Sequence, residues 1–210
     1  MGYKDIRDGL KKSSENILVP IIALLNTLGL SPNIVTIIGL LINIAAAFFI
    51  AKGMFITAGI LVLFAGIFDM LDGALARKMG KKTKFGGFLD STTDRLSEGA
   101  LYLGLLVYYL NTGDKNMAII SYLVMFLSFL ISYIRARAGG LNIDCEEGIL
   151  TRPERVAILI LGLLLSRLFN SIFFALIIIG IGSLVTVIQR FIIVYTRAKQ
   201  PGKPKRKLSS

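Results

Sequence analysis

The sequence predicts an all-α integral membrane protein, with six spanning helices preceded by an N-terminal amphipathic helix at the membrane surface. Three observations carry that reading. The 210 residues are 54% apolar and only 18% charged, with a mean hydropathy of +0.71, against about 45–50% and about 25% in ordinary soluble domains. Apolar runs recur at lengths that suit a hydrocarbon core of about 30 Å, for which about 20 helical residues suffice. The formal charge is nevertheless +11, and the basic residues that produce it fall mostly in alternate connections between those runs.

Residues 1–30 place Ile6, Leu10, Ile17 and Leu18 near helical spacing, with Lys4, Asp5, Arg7, Asp8, Lys11 and Lys12 between them. Such a segment can lie in the headgroup plane with its apolar side down. The first strong apolar span begins only after these residues, so no cleaved signal peptide is expected. The spans are expected at about 33–51, 54–76, 86–111, 116–138, 153–168 and 171–195, so residues 31–196 form the six-helix domain. The fifth is the weakest, because Arg167 cuts it short, and a half-buried surface helix is its alternative. From Arg197 onward the chain carries six basic residues, no acids and two prolines. That segment, 197–210, is expected to be a disordered tail that either touches anionic lipid or is simply solvated.

An even number of spans puts both termini on one side. With that side cytoplasmic, 21 of the 24 basic residues face the cytoplasm, and only Lys52, Lys115 and Arg167 face outward. The asymmetry sets the orientation of a multi-pass protein in the cell membrane. A soluble nucleic-acid binder would also be basic, but it could not keep such long apolar runs in water, so no nucleic-acid partner is expected. The lone Cys145 cannot form an internal disulfide. With no histidine anywhere in the chain, proton and metal chemistry must rest on carboxylates.

Four aspartates stand where carboxylates are costly. The stretch runs Asp69-Met-Leu-Asp72-Gly73-Ala-Leu-Ala76-Arg77 and, eight residues later, Gly86-Gly-Phe-Leu-Asp90-Ser-Thr-Thr-Asp94. Asp69 and Asp72 share one helix face, as do Asp90 and Asp94 on the next helix. The connection is short, so the two helices are antiparallel neighbours with both pairs at a similar depth. Asp69 lies about 22 Å into its span, toward the cytoplasmic end. An isolated carboxylate inside a membrane costs roughly 2.5–3.5 kcal/mol, and four converging ones would also repel. A divalent cation reverses that balance, since magnesium, manganese and calcium prefer oxygen ligands. Four aspartates could hold two such ions and clamp a phosphoryl centre. The alternative is four residues at helix ends snorkelling to water. Gly73, Ala76 and Gly86 leave room for a bulky substrate beside the carboxylates, and Arg77 lies one turn after Gly73, within reach of a phosphate.

The pattern D-x2-D-G-x2-A-R-x8-G-x3-D-x3-D resembles the signature of the CDP-alcohol phosphatidyltransferase family without a departure. That resemblance implies a six-helix membrane enzyme, a homodimer, with a cytoplasm-facing cavity and two bound Mg2+ ions, Mn2+ being an alternative. It implies Asp69, Asp72, Asp90 and Asp94 as metal ligands and Asp94 also as the base on the acceptor hydroxyl. Asp69, Gly73, Ala76, Arg77 and Thr83 would contact the CDP-linked lipid, built on diacylglycerol or archaeol. Pro32, Asn33 and Thr36, in the turn Ser31-Pro32-Asn33-Ile34-Val35-Thr36, resemble the family's nucleotide-side segment, although Pro32 is equally a residue suited to a helix's first turn.

The acceptor is read from other cytoplasmic charges. Arg135 and Arg137 end the fourth span, Arg152 and Arg155 begin the fifth, and Arg190 sits deep in the sixth. Topology alone would place a basic residue at each inner helix end; Arg190, with an apolar helix continuing beyond it, is harder to explain that way. Arginines meeting near the aspartates would suit an acceptor that bears a phosphate. The Tyr-x-Arg-Ala-Arg and Arg-x-x-Arg segments resemble the phosphatidylinositol-phosphate and archaetidylinositol-phosphate synthase branch of the family, which implies inositol phosphate as acceptor. Glycerol 3-phosphate and serine are the alternatives. Two more distant readings are an aspartate-rich membrane prenyltransferase and a cation transporter. The first would not need Gly-x-x-Ala-Arg after Asp72, and the second would need acids distributed through the membrane depth.

Overall fold

The chain is described by a computed structural model over residues 31–78 and 83–199, with the side chains of 72, 73 and 76–78 outside the description. The expected amphipathic helix in 1–30 and the tail beyond 199 lie outside the described residues. Within them every regular element is a helix: α1 Pro32–Ala51, α2 Phe55–Lys78, α3 Lys84–Thr112, α4 Lys115–Gly140, α5 Arg152–Leu164 and α6 Ser171–Ala198. Each expected span overlaps a helix, although α5 ends at Leu164, short of the expected residue 168. Among the described residues α1, α4 and α6 are long and apolar enough to cross a membrane, while the apolar part of α2 is the shorter Phe55–Leu71. With 13 residues, α5 reaches only about 20 Å.

The helix ends follow local chemistry. At α1, Ser31 is the N-cap, accepting from the Ile34 N–H at 3.4 Å, and Pro32 takes the first position, where no N–H is needed. Helices α1, α3 and α4 each end in a Schellman motif, in which a residue of positive φ lets its own N–H and that of the next residue close back on the last turn. Gly53 (φ 77°) and Gly113 (φ 79°) serve α1 and α3; the N–H groups of Met54 and Asp114 reach Phe49 O at 2.9 Å and Tyr109 O at 3.0 Å. The same role in α4 falls to Asn142 (φ 60°), with Ile143 N–H on Ala138 O at 2.9 Å. Gly139 and Gly140 therefore stay helical, and the helix outlasts the double glycine that would have suggested its end. At its other end α6 continues to Ala198, so Arg197, expected in the tail, is helical and pairs with Glu147.

The chain divides into two compact units, one ending at Gly104 and one beginning at Leu105. In the first, α1 and α2 form an antiparallel hairpin. Val35 packs with Leu71, Ala74 and Leu75, and Phe68 lies against that cluster. Helix α3 runs alongside α1 through a tight approach: a Cβ on Gly104 would lie 2.6 Å from the Ala47 carbonyl oxygen. Backbone cannot move aside cheaply, so Gly104→Ala is expected to destabilise this unit by about 2–3 kcal/mol, in the upper part of the overpacking range. The check is a lowered unfolding midpoint in detergent; an unchanged midpoint would show that α1 and α3 separate without cost.

The second unit joins α4, α5 and α6. Ile131, Ile134 and Val187 form a core with Leu127, Leu130 and Val194 around it. The α5–α6 turn is tied by the Ser171 hydroxyl, which donates to Gly162 O at 2.7 Å, and a Cβ on Gly162 would lie 2.6 Å from Ala175 Cβ. Glycine at 162 is thus a condition of the packing.

Candidate active site

Asp69 comes from just past the middle of α2, whereas Asp90 and Asp94 lie one turn apart in the second and third turns of α3. One carboxylate oxygen from each of the three lies within 4.8 Å of the others. Ligands 2.0–2.6 Å from a common ion stand at most about 4–5 Å apart, so this separation fits a divalent cation, and the all-oxygen donor set fits a hard one. The structure therefore brings together three of the four expected aspartates. Asp72, Gly73, Ala76 and Arg77 belong to α2, but their side chains lie outside the described residues.

The start of α3 is built to bring α1 close. Thr83 is its cap: its hydroxyl accepts from the Gly86 N–H at 2.9 Å, and its carbonyl accepts from the Gly87 N–H at 3.2 Å. A Cβ on Gly86 would stand 3.1 Å from Thr83 Oγ1 and 3.4 Å from Asn33 Oδ1, so the first turn of α1 lies in contact range of the start of α3, one turn before Asp90. Pro32, Asn33 and Thr36 thereby lie on the same side of the first unit as the carboxylates. The Thr36 hydroxyl donates to Pro32 O at 3.0 Å. Thr83, expected to face a nucleotide, has a structural task that its place in the sequence did not disclose.

Glu98, one turn beyond Asp94, is buried at 4% exposure. A carboxylate at i+4 from Asp94 was visible, whereas its burial was not.

The arginines lie in the second unit. Arg190 is 3% exposed, and three of its five N–H donors point at backbone: Nε to Glu147 O at 2.9 Å, Nη1 to Ile131 O at 2.7 Å and Nη2 to Glu146 O at 3.4 Å. Arg155, 1% exposed, donates to Leu150 O at 3.2 Å. Arg135 pairs with Glu146 at 2.6 Å, Arg137 is exposed and Arg152 is half-buried. Arg197 donates to the Glu147 carboxylate and holds it below the usual carboxylate range. A lowered value means that this tie persists at neutral pH and loosens only as the pH falls through it. The connection between α4 and α5 is thus fastened by arginines from both flanking elements and from α6.

Apolar helices of membrane-crossing length and a carboxylate cluster whose spacing suits a divalent cation together describe a membrane protein with a candidate metal site. Residues 29–188 match the family described as CDP-alcohol phosphatidyltransferase. The chain is 37% identical over 174 residues to archaetidylinositol phosphate synthase of Methanothermobacter thermautotrophicus, covering 82% of this chain and 87% of that protein. Its fold superposes on the crystal structure of Mycobacterium tuberculosis phosphatidylinositol phosphate synthase with CDP-DAG bound, at a TM-score of 0.82 and 33% identity, covering 92% of this chain and 100% of that one. The same Mycobacterium tuberculosis enzyme in complex with manganese and citrate gives a TM-score of 0.80 and 33% identity over 90% and 97% of the two chains. The chain belongs to the CDP-alcohol phosphatidyltransferase family, and it is an enzyme of phospholipid biosynthesis.

Proposed function

We propose that this enzyme moves a phosphatidyl or archaetidyl group from a CDP-linked lipid to a hydroxyl of inositol phosphate, releasing CMP. The observation that carries the chemistry is the convergence of Asp69, Asp90 and Asp94 within 4.8 Å. The acceptor is supported by similar proteins whose names specify an inositol phosphate product and by buried Arg155 and Arg190.

Asp69, Asp72, Asp90 and Asp94 would hold two divalent cations, Mg2+ or Mn2+; a manganese complex of a similar enzyme supports a cation of this kind. Bound there, the cations would supply charge neutralisation at the diphosphate and at the departing CMP. Asp94 takes the proton as the acceptor oxygen bonds to the lipid-linked phosphorus and the phosphorus–oxygen bond to CMP breaks. Gly73, Ala76, Arg77 and Thr83 of the α2–α3 region, with Pro32, Asn33 and Thr36 of α1, receive the CDP moiety. Arg135, Arg137, Arg152, Arg155 and Arg190 hold the acceptor's phosphate, Arg190 having two N–H groups beyond those it gives to backbone carbonyls. The protein works as a homodimer, crosses the cell membrane six times and keeps both termini and the site cytoplasmic, as the distribution of basic residues supports.

Glycerol 3-phosphate and serine remain the alternative acceptors, and product analysis with each decides among them. Arg190→Ala is expected to raise KM for inositol phosphate about tenfold or more, the scale of one charge-assisted contact, while KM for CDP-lipid stays within about twofold. An unchanged acceptor KM would remove the phosphate-site argument. Faster turnover of serine than of inositol phosphate would replace the proposed acceptor.

A further inference from the structure

The face of α6 formed by Gly182, Thr186, Gln189 and Arg190 grips residues 146–150 by their backbone. Leu150 N–H donates to Thr186 Oγ1 at 3.1 Å, and that hydroxyl in turn donates to Gly182 O at 2.8 Å. Ile149 N–H donates to Gln189 Oε1 at 3.1 Å, and Arg190 holds Glu146 O and Glu147 O. Shape reinforces the bonds. A Cβ on Gly148 would fall 2.6 Å from Thr186 Cγ2, and one on Gly182 would fall 2.9 Å from Leu150 Cδ2. The residues at 182, 186, 189 and 190 follow helical spacing on one side of α6, so the grip belongs to a single surface.

Leu150 is the link to function. Its N–H is fixed by Thr186, and its carbonyl accepts from Arg155. Thr186 is wholly buried and Arg155 nearly so. Without the hydroxyl, the buried Leu150 N–H would lose its acceptor, a costly state that the peptide escapes only by turning. The carbonyl that receives Arg155 lies in the next peptide plane, across the Leu150 Cα, so a displacement of Leu150 carries that carbonyl off its present position.

We propose that Thr186 is a positioning residue for the acceptor, acting with Gln189 through the backbone of residues 148–150 to aim the Arg155 guanidinium. The inference rests on the reading that Arg155 and Arg190 hold the acceptor's phosphate. Thr186 touches neither substrate; it sets the geometry of a group that does.

The test uses the purified full chain with Mg2+, CDP-diacylglycerol and inositol phosphate. Thr186→Val keeps the shape and removes the hydroxyl; KM for inositol phosphate should rise about tenfold, with KM for CDP-diacylglycerol within about twofold. Thr186→Ser keeps the hydroxyl and should restore the acceptor KM to within about threefold. Gly148→Ala should raise it through the clash with Cγ2, and Gly148→Ala combined with Thr186→Ser, which lacks Cγ2, should recover most of the loss. Gln189→Leu is read in the same assay and decides the matter if Thr186→Val does not fold. A wild-type acceptor KM in Thr186→Val or, failing that variant, in Gln189→Leu overturns the proposal, as does an equal rise in both KM values. If Arg155→Ala and Arg190→Ala also leave the acceptor KM unmoved, the phosphate-site reading itself has failed; if they raise it and Thr186→Val does not, only the positioning role has.

Discussion

Asp94→Asn is expected to lower turnover at saturating substrates by about 10³-fold, within the range typical for a positioned base, while CDP-lipid affinity stays within about threefold. The two side chains are nearly isosteric, so the half-buried position in the third turn of α3 remains filled. An amide cannot take the acceptor's proton, and with no histidine in the chain no imidazole can replace it. Asp69 and Asp90, the other two carboxylates of the cluster, are unchanged. Turnover in single-turnover experiments and binding of CDP-lipid separate the two effects. If binding falls in parallel with turnover, Asp94 acts mainly as a ligand and the proton goes elsewhere.

The second large effect concerns charge. Three carboxylates with oxygens within 4.8 Å of one another repel, by roughly 3–4 kcal/mol per pair at an effective dielectric constant of 20. Solvent reaches Asp69, and screening reduces the net effect to about 1 kcal/mol. Asp69→Asn relieves that repulsion. Under chelation the variant should therefore melt about 2–4 °C above the wild type. With millimolar Mg2+ the order should invert, since the wild type gains the binding energy of the ion. Activity should move the other way and fall by about 10²-fold or more in Asp69→Asn. A wild type whose melting temperature is indifferent to Mg2+ would show that the cluster holds no ion.

The two halves of the molecule were legible to different degrees. Each apolar run became a helix, because a run of about 20 apolar residues has few other ways to satisfy its backbone in lipid. The Ser31-Pro32 start of α1 could be read directly, since capping is a property of adjacent residues. The end of α4 was less accessible: Gly139 and Gly140 invite a stop, yet the left-handed position falls on Asn142. The aspartates could be paired by spacing because each pair lies within one helix. The α4–α5 connection could not, since Thr186, Gln189 and Arg190 meet residues 146–150 across 36 to 44 positions of sequence. Arg190 announced that it needed a partner, but its partners are carbonyls, which every residue has and no sequence pattern marks.

Transfer of a lipid phosphoryl group to a phosphorylated alcohol at the α2–α3 carboxylates, as proposed, is read out by CMP release from the purified enzyme given a CDP-lipid, Mg2+ and inositol phosphate. CMP and phosphorylated inositol lipid are expected in equal amounts, and both are abolished by chelation and by Asp94→Asn. No CMP from any combination of CDP-lipid and alcohol, with the protein folded and the cation present, would contradict the proposed transfer.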